Sequence, residues 1–301
     1  MTQSAARRER LDLLAVGLLI TCCALWGLNQ VAAKAALAEV PPLTQAALRS
    51  AGAALLVLGW AKARGLALFE HDATLRSGLL AGALFAGEFA CIFVGLQFTS
   101  ASRMVVFIYL APFVVALGMP LISRGERLSA SQWFGLATAF SGVAWAFAEA
   151  FSPATVAPPR QWLGDALGVA AALLWGATTL TIRATPLSGA AAEKTLLYQL
   201  SVSGLLLGLA ALLAGESWPL RWSALSLGSL AFQTVIVTFA SYLTWFWLMR
   251  HYPATRISAF VLLTPVFGLA AGVTLLDEPL TLRLVVALAA VVTGLLLVNR
   301  A

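Results

Sequence analysis

A single acidic side chain, Glu88, lies in the middle of one of the long apolar stretches of this sequence. A charge at that depth in a membrane is costly, so Glu88 must face protein or water. It is a candidate partner for a substrate amine or a candidate proton-coupling group. The alternative is a protonated or hydrogen-bonded carboxyl that locks helices together. The two interpretations stay equally open, because the sequence has no second acid at a comparable depth.

Uncharged polar residues near the middle of two other apolar stretches could hydrogen-bond a substrate. Asn29 and Gln30 lie in the first stretch, and Thr178 and Thr179 occupy the corresponding place in the sixth. Each of them alone is more typical of hydrogen bonding between helices, worth on average about 0.6 kcal/mol. As a symmetric set they favour a binding site between the two groups of helices.

Aromatic residues accompany these polar groups. Trp26 and Trp175 each precede a glycine, and Tyr242 and Trp245 are three residues apart and share a helix face. Aromatic residues in apolar helices are more often packing residues than ligand contacts, so both roles are considered. The predicted cavity residues are Trp26, Asn29, Gln30, Glu88, Tyr109, Trp175, Thr178, Thr179, Gln233, Tyr242 and Trp245.

Two prolines, Pro112 and Pro265, lie inside apolar stretches at matching places in the two halves of the chain. Each frees a backbone carbonyl and should bend its helix. Paired bends in matched helices could act as gates. Static kinks that only shape the bundle are an equally good explanation.

Motifs of other function classes are missing from the sequence. It has no GxxxxGK[ST] phosphate loop, no HExxH and no paired intramembrane Asp. His71 and His251 fall in or beside predicted loops, and the three cysteines lie in apolar stretches without metal-ligand spacing. We therefore expect no catalytic residue, no metal and no cofactor. A membrane enzyme or a channel remains the alternative of a different class, and a flux rate far above that of carriers would identify a channel.

The elements that position these residues follow from composition. The 301 residues are 60% hydrophobic and 11% charged, with a mean hydropathy of +0.89, whereas soluble domains carry about 25% charged residues. Because the basic residues behind the net charge of +6 are scattered between apolar stretches, nucleic acid is not an expected partner. The chain is predicted to be an all-α integral membrane protein surrounded by lipid.

Apolar stretches between breakers predict ten transmembrane helices. The side opposite the N-terminus receives Lys34, Arg49, Arg103, Arg160, Arg221 and Arg283, which leaves 13 of the 19 basic residues on the N-terminal side. Cytoplasmic loops retain basic residues, so both termini are predicted to be cytoplasmic. The predicted helices span residues 13–37, 43–62, 74–98, 101–122, 129–149, 162–184, 190–214, 221–249, 254–276 and 280–299.

An internal repeat relates the two halves. Trp26-Gly27 recurs as Trp175-Gly176, Ala101-Ser102-Arg103 as Ala254-Thr255-Arg256, and Pro112 as Pro265. Each half holds five predicted helices, an odd number, so the second half must enter the membrane from the opposite side. The predicted organisation is a cytoplasmic tail at 1–12, a first five-helix repeat at 13–151, an extracytoplasmic linker at 152–161 and an inverted second repeat at 162–301.

These motifs resemble the drug/metabolite transporter superfamily, specifically the ten-helix EamA-type exporters. The resemblance also rests on Gly125-Glu126-Arg127-Leu128 and Asp277-Glu278-Pro279-Leu280, and it covers nearly the whole chain. It implies a basket-like bundle of two five-helix halves in a cell membrane, for a bacterial protein the inner membrane, and export of amino acids or related metabolites. The aromatic-rich interior resembles the subgroup that exports aromatic and other neutral amino acids. Other small metabolites or drugs of the same superfamily are the alternative substrates.

The inverted repeat predicts a secondary carrier that works by alternating access through a central cavity. Four glycine pairs with GxxxG spacing, beginning at Gly78, Gly164, Gly204 and Gly268, predict close helix packing. We assign them to packing within a monomer, although a dimer would use the same spacing. Glu126 and Glu278 precede the fifth and tenth predicted helices and are expected to stabilise the N-termini of those helices.

Overall fold

The regular structure of the protein is helical throughout the described residues of a computed structural model, which are 12–68, 72–122, 129–148, 158, 160–218, 222–252, 260–261 and 263–298. A π-helical segment, Phe232–Ser241, joins α9 to α10 and is called the π segment below. The helices are α1 (Leu13–Ala36), α2 (Pro42–Ala63), α3 (Leu75–Gly95), α4 (Ala101–Ile108), α5 (Ala111–Ile122), α6 (Ala130–Phe147), α7 (Gln161–Ala184), α8 (Ala192–Leu213), α9 (Ala224–Ala231), α10 (Tyr242–His251), α11 (Leu263–Leu276) and α12 (Leu282–Val298).

Hydrogen-bonding side chains start several of these helices where the sequence changes from polar to apolar. Asp12 accepts a hydrogen bond from the backbone N–H of Ala15 at 2.9 Å and caps α1. Ser100 and Ser223 cap α4 and α9 in the same way. Ser129 and Gln132 form a reciprocal capping box at α6. Each cap satisfies a backbone donor that the helix leaves unpaired.

The helix bounds follow the predicted stretches, with two local departures. The predicted fourth helix is interrupted at Tyr109 and Leu110, so that Pro112 is the second residue of α5. Pro265 is the third residue of α11. Both prolines therefore lie in first helical turns, where a missing backbone N–H costs little. The π segment in the predicted eighth helix was not foreseen.

Six of the described helical stretches are long and apolar enough to cross a membrane. The stretches α2 and α6 are less apolar, and α11 and α12 are shorter. The fold is thus an all-helical membrane bundle, whereas the full count of ten crossings stays a prediction. The predicted tail up to residue 11, most of the predicted linker, Glu126 and His71 lie outside the described residues.

The helices pack in a pattern that brings the two halves together. The pairs with the largest contacts are α6 with α12, α3 with α7, α2 with α8, α1 with α11, α3 with α8, α5 with α7, and α4 with α11. A Cβ added to Gly27 would lie 2.6 Å from the backbone nitrogen of Gly268, and one added to Gly82 would lie 2.8 Å from the carbonyl oxygen of Tyr198. The predicted small-residue contacts are therefore made within one chain.

One expectation about a charged residue was wrong. Glu278 does not stabilise the N-terminus of α12: its carboxylate accepts hydrogen bonds from the backbone N–H groups of Ala101 and Ser102, at the N-terminus of α4. Arg49 and Arg103, counted above on the side opposite the N-terminus, are buried among helices. In the sequence both residues lie near the ends of predicted helices, and in the folded chain neighbouring helices enclose their side chains.

Candidate functional site

A cavity of about 370 Å³ lies between the two halves of the chain. Its walls come from α1, α3, α4, α7, α8, α10, the π segment and Thr264 of α11. A volume of this order is typical of small-molecule sites. Ten of the eleven predicted cavity residues line it: Trp26, Asn29, Gln30, Glu88, Tyr109, Trp175, Thr178, Thr179, Tyr242 and Trp245.

Gln233 is the predicted residue that does not line the cavity. It lies in the π segment with its side chain fully buried against α2, where its amide nitrogen donates to Gln45 of α2 at 2.9 Å and to Ser229 of α9 at 2.9 Å. Since an amide in a predicted helix can face any neighbour, the sequence could not decide its direction. Gln233 joins helices and does not face the cavity.

The polar part of the cavity is formed by Asn29, Gln30 and Glu88, each at most 6% exposed. One oxygen of each side chain, Oδ1, Oε1 and Oε2 respectively, is buried and accepts no hydrogen bond from any described residue. Buried polar groups are normally satisfied, so three unsatisfied acceptors at one cavity indicate a place for a donor from a ligand or from water. Thr178 and Thr179 instead donate to backbone carbonyls one turn earlier in α7.

Aromatic rings form much of the apolar part of the cavity wall. Trp26 packs edge-on against Tyr242 and Trp245, with ring centroids 6.2 and 5.0 Å apart. Its indole N–H donates to the hydroxyl of Ser241 at 2.8 Å, which fixes the ring. Tyr109 and Trp175 form a second edge-on pair at 5.6 Å. These rings give the cavity a large aromatic surface beside its polar groups.

The sequence analysis missed several lining residues, and the signals for most of them are weak. The apolar ones, such as Phe85, Phe89 and Phe246, look like any other residue of a membrane helix. Gln199 of α8 is a stronger case, since an amide that is only 7% exposed inside an apolar stretch can be recognised from sequence. The missed lining residues are Phe85, Phe89, Ile92, Val105, Ile108, Ile182, Arg183, Leu196, Gln199, Val237, Phe246 and Thr264.

Arg49 lies directly behind the cavity wall. Its guanidinium stacks 3.9 Å from the centre of the Phe89 ring, Nε donates to the Thr238 hydroxyl at 2.6 Å, and Nη2 lies 3.4 Å from the Tyr242 hydroxyl. Phe89 and Tyr242 both line the cavity. The spacing of Gln45 and Arg49, four residues apart on one face of α2, is the sequence signal that could have identified this buried polar face.

One end of the bundle, which we call the capped end, is closed by buried polar contacts. Arg103 forms a bidentate ion pair with Asp165, with Nη2 2.6 Å from Oδ2, and Thr99 also donates to Asp165 at 2.6 Å. The amine of Lys34 donates to the carbonyl oxygens of Leu96 and Thr99.

Carboxylates from loops bind helix N-termini at the same end. Glu278 accepts from the N-terminus of α4 as described above, Glu216 accepts from the backbone N–H groups of Leu43 and Thr44 at the start of α2, and Glu39 accepts from Ser223 at the start of α9. Negative charge at a helix N-terminus is favourable. Hydrogen bonds from Ser226 and Ser223 hold the pKa of Glu39 below its usual value.

The opposite end, which we call the open end, is less tightly joined. Asp72 pairs with Lys194 at 2.8 Å, and the Tyr252 hydroxyl donates to Asp12 at 2.9 Å. The cavity reaches this end at Ile182 and Arg183, and the Arg183 side chain is exposed. The cavity is therefore accessible from the open end and closed at the capped end.

The described residues include no group of three or more His, Cys, Asp or Glu side chains that could hold a metal ion. The cavity offers hydrogen-bond acceptors, one carboxyl and aromatic surface. This combination can bind a small amphipathic molecule.

Comparison with known proteins gives a consistent answer. The model of the EamA-like transporter family matches residues 13–148 and again residues 162–300. An uncharacterised transporter of Bacillus subtilis is 28% identical over 91% of this chain and 88% of its own length. A probable amino-acid metabolite efflux pump of Escherichia coli is 26% identical over 85% of each chain. A crystal structure with 21% identity, covering 95% of this chain and 96% of the other, superposes with a TM-score of 0.65 and shares the fold.

Proposed function

The chain belongs to the EamA-like transporter family and is a multi-pass transporter of the cell membrane, and from this membership we propose that it exports neutral amino acids, aromatic ones included, by alternating access. The observation that carries the proposal is the enclosed cavity between the halves, with aromatic walls and unsatisfied polar acceptors. An amino acid with an apolar side chain presents both surfaces that this cavity complements.

The substrate class is supported by two relatives. The proteins of Escherichia coli and Salmonella typhimurium that match 85% of this chain are both described as probable amino-acid metabolite efflux pumps. The match favours amino acids over other metabolites, and the cavity chemistry narrows the class to those with apolar side chains.

The inverted repeat supports alternating access. The family model matches the chain twice, once in each proposed half, 13–151 and 162–301. The helix contacts are also related by exchange of the halves: α1 contacts α11 as α7 contacts α4, and α3 contacts α8 as α2 contacts the π segment. Two such halves can exchange conformations, so that the cavity faces each side of the membrane in turn.

The direction of the proposed export follows from topology. The N-terminus of α1 lies at the open end, where Asp12 bonds Tyr252. If both termini are cytoplasmic, as the basic residues predict, the cavity of this conformation opens to the cytoplasm. The proposed gate positions are the two prolines. Pro112 follows the interrupted backbone at Tyr109, and Pro265 lies at the start of α11.

Counterflow in proteoliposomes tests the function. Vesicles loaded with unlabelled phenylalanine should accumulate labelled phenylalanine, leucine or related amino acids. Thr178→Trp, which fills the cavity, should abolish counterflow. Its matched control is Leu173→Trp on the same helix, whose side chain is 54% exposed away from the cavity and which should retain transport.

The assay has two outcomes that contradict the proposal. One is an absence of counterflow for every amino acid tested with folded wild-type protein, and the other is equal counterflow by wild type and Thr178→Trp. Size-exclusion chromatography and thermal unfolding of both variants establish that they are folded.

A further inference from the structure

We propose that two residues of the cavity lining, Glu88 and an Arg49-supported Tyr242, recognise the two charges of a zwitterion. Glu88 accepts the substrate ammonium group, and the Tyr242 hydroxyl, held by Arg49, donates to the substrate carboxylate. The inference rests on the proposed function and extends it by assigning the selection of net-neutral substrates to three side chains.

Glu88 has the geometry of an ammonium acceptor. It lies at the middle of α3, is 6% exposed, and lines the cavity. Its Oε2 accepts no hydrogen bond from any described residue. A buried carboxylate without donors is costly, and an ammonium group has three N–H donors that would satisfy it.

Arg49 is the only fully buried arginine facing this region in the described part of the chain, with 0% exposure. Its Nε and Nη2 are directed to Thr238 and Tyr242, while Nη1 has no hydrogen-bond acceptor among the described residues. Arg49 and Glu88 interact electrostatically, yet they form no direct ion pair. Among the described residues, each of the two charges therefore lacks a directly bonded counter-ion.

Tyr242 connects Arg49 to the cavity. Its hydroxyl oxygen accepts from Nη2 of Arg49 at 3.4 Å, so the hydroxyl hydrogen is available to donate. Tyr242 lines the cavity and Arg49 does not, so Arg49 acts through the phenol as a positioning residue. A donor backed by a guanidinium is a favourable partner for a carboxylate.

The arrangement has a consequence for specificity. The three residues together are net neutral, so a zwitterion bound between them leaves both ends paired. A molecule with only an amine leaves the Arg49–Tyr242 side without its anion, and a molecule with only a carboxylate leaves Glu88 without its cation. An unpaired buried charge costs more than a lost neutral contact.

Three ligands with the same ring test the assignment: phenylalanine, phenethylamine, which lacks the carboxylate, and 3-phenylpropanoate, which lacks the amine. Their affinities are measured by calorimetry on the purified full chain. Wild type should bind phenylalanine about tenfold or more tightly than either single-charge ligand, the factor expected for a lost hydrogen bond to a charged group.

Each variant should change this ranking in favour of a different single-charge ligand. Glu88→Gln should bind 3-phenylpropanoate at least as tightly as phenylalanine, and Tyr242→Phe should bind phenethylamine at least as tightly as phenylalanine. Arg49→Gln should follow Tyr242→Phe, and Arg49→Lys, which keeps the charge, should restore part of the preference for phenylalanine. Trp245→Phe, the matched control in the aromatic wall, should weaken all three ligands alike.

The outcomes separate this inference from the function. If wild type transports phenylalanine but the ranking of the three ligands is the same in Glu88→Gln and Tyr242→Phe as in wild type, the recognition site is wrong and the transporter proposal stands. If wild type neither binds nor transports any of the three ligands, both proposals fail. Tyr242→Phe removes a single oxygen atom, so the test does not depend on whether Arg49→Gln folds.

Discussion

The two ends of the helix bundle are joined by polar contacts of different burial. At the capped end the side chains of Arg103 and Asp165 are 6% and 0% exposed. At the open end Lys194 is also 6% exposed, but its partner Asp72 is 40% exposed. One pair is shielded from water on both sides and the other on one side only.

This difference indicates where the conformational free energy of the proposed carrier is concentrated. Opening the cavity toward the capped end would require separating α4 from α7 and α11, which are joined there by Asp165 and Glu278. Breaking a buried ion pair is costly, whereas a pair with an exposed member can be replaced by water. The capped end is therefore expected to resist opening more than the open end resists closing.

The largest effect is expected from Asp165→Asn. This change leaves the guanidinium of Arg103 buried without its counter-ion, and removing one partner of a buried pair costs about 3–5 kcal/mol. Thermal or denaturant unfolding in detergent should show a large loss of stability. Asp72→Asn at the open end is the matched control and should change stability little. Similar losses in the two variants would contradict the contrast between the ends.

A smaller effect is expected from Glu278→Gln. The carboxylate accepts hydrogen bonds from Ala101 N–H, Ser102 N–H and the Ser102 hydroxyl, at 2.6, 2.9 and 2.6 Å. Replacing it removes the charge from these bonds, at an expected cost of about 1.5–3 kcal/mol. The capped end should then open more readily during the proposed transport cycle. A reporter cysteine introduced at Gln30 should then react faster with an impermeant maleimide added from the capped side.

The control for this prediction is the adjacent acid. Asp277 is exposed and has a positive φ of 52°, which asparagine tolerates. Asp277→Asn should leave the labelling rate unchanged. Equal acceleration by both variants would mean that loop charge in general, and not the contact with α4, holds this end closed.

The smallest effect concerns acid at the open end. The hydrogen bond from Lys194, supported by Thr74, lowers the pKa of Asp72 from 3.8 to about 2. Because the pKa is depressed in the folded state, the contribution of the pair is present above pH 3.8 and is lost as the pH falls through about 2. The difference in melting temperature between wild type and Asp72→Asn should shrink over this range. A difference that is constant or grows would contradict the assignment.

Most of the helix positions could be predicted from sequence, because transmembrane helices are apolar stretches and polar residues inside them are rare. Of the 22 residues that line the cavity, the sequence analysis named ten, and most of the missed ones are apolar. Gln233 shows the limit of this prediction. It is a polar residue inside an apolar stretch, but it pairs with Gln45 of another helix and does not line the cavity. The interruption after Ile108 lies beside Pro112 and was foreseeable as a bend, whereas the sequence carries no comparable signal for the π segment, which packs against α1 and α2.

The sequence by itself determined that this chain is a membrane-embedded helical transporter, and it predicted the repeated half, since apolar length, charge depletion and recurring motifs are local properties. Only the tertiary structure decided which polar groups meet. Glu278 reached the N-terminus of α4, Arg103 reached Asp165, and Arg49 came to lie behind Tyr242. These contacts join residues far apart along the chain, and their identity depends on how helices rotate and cross, which hydropathy does not encode.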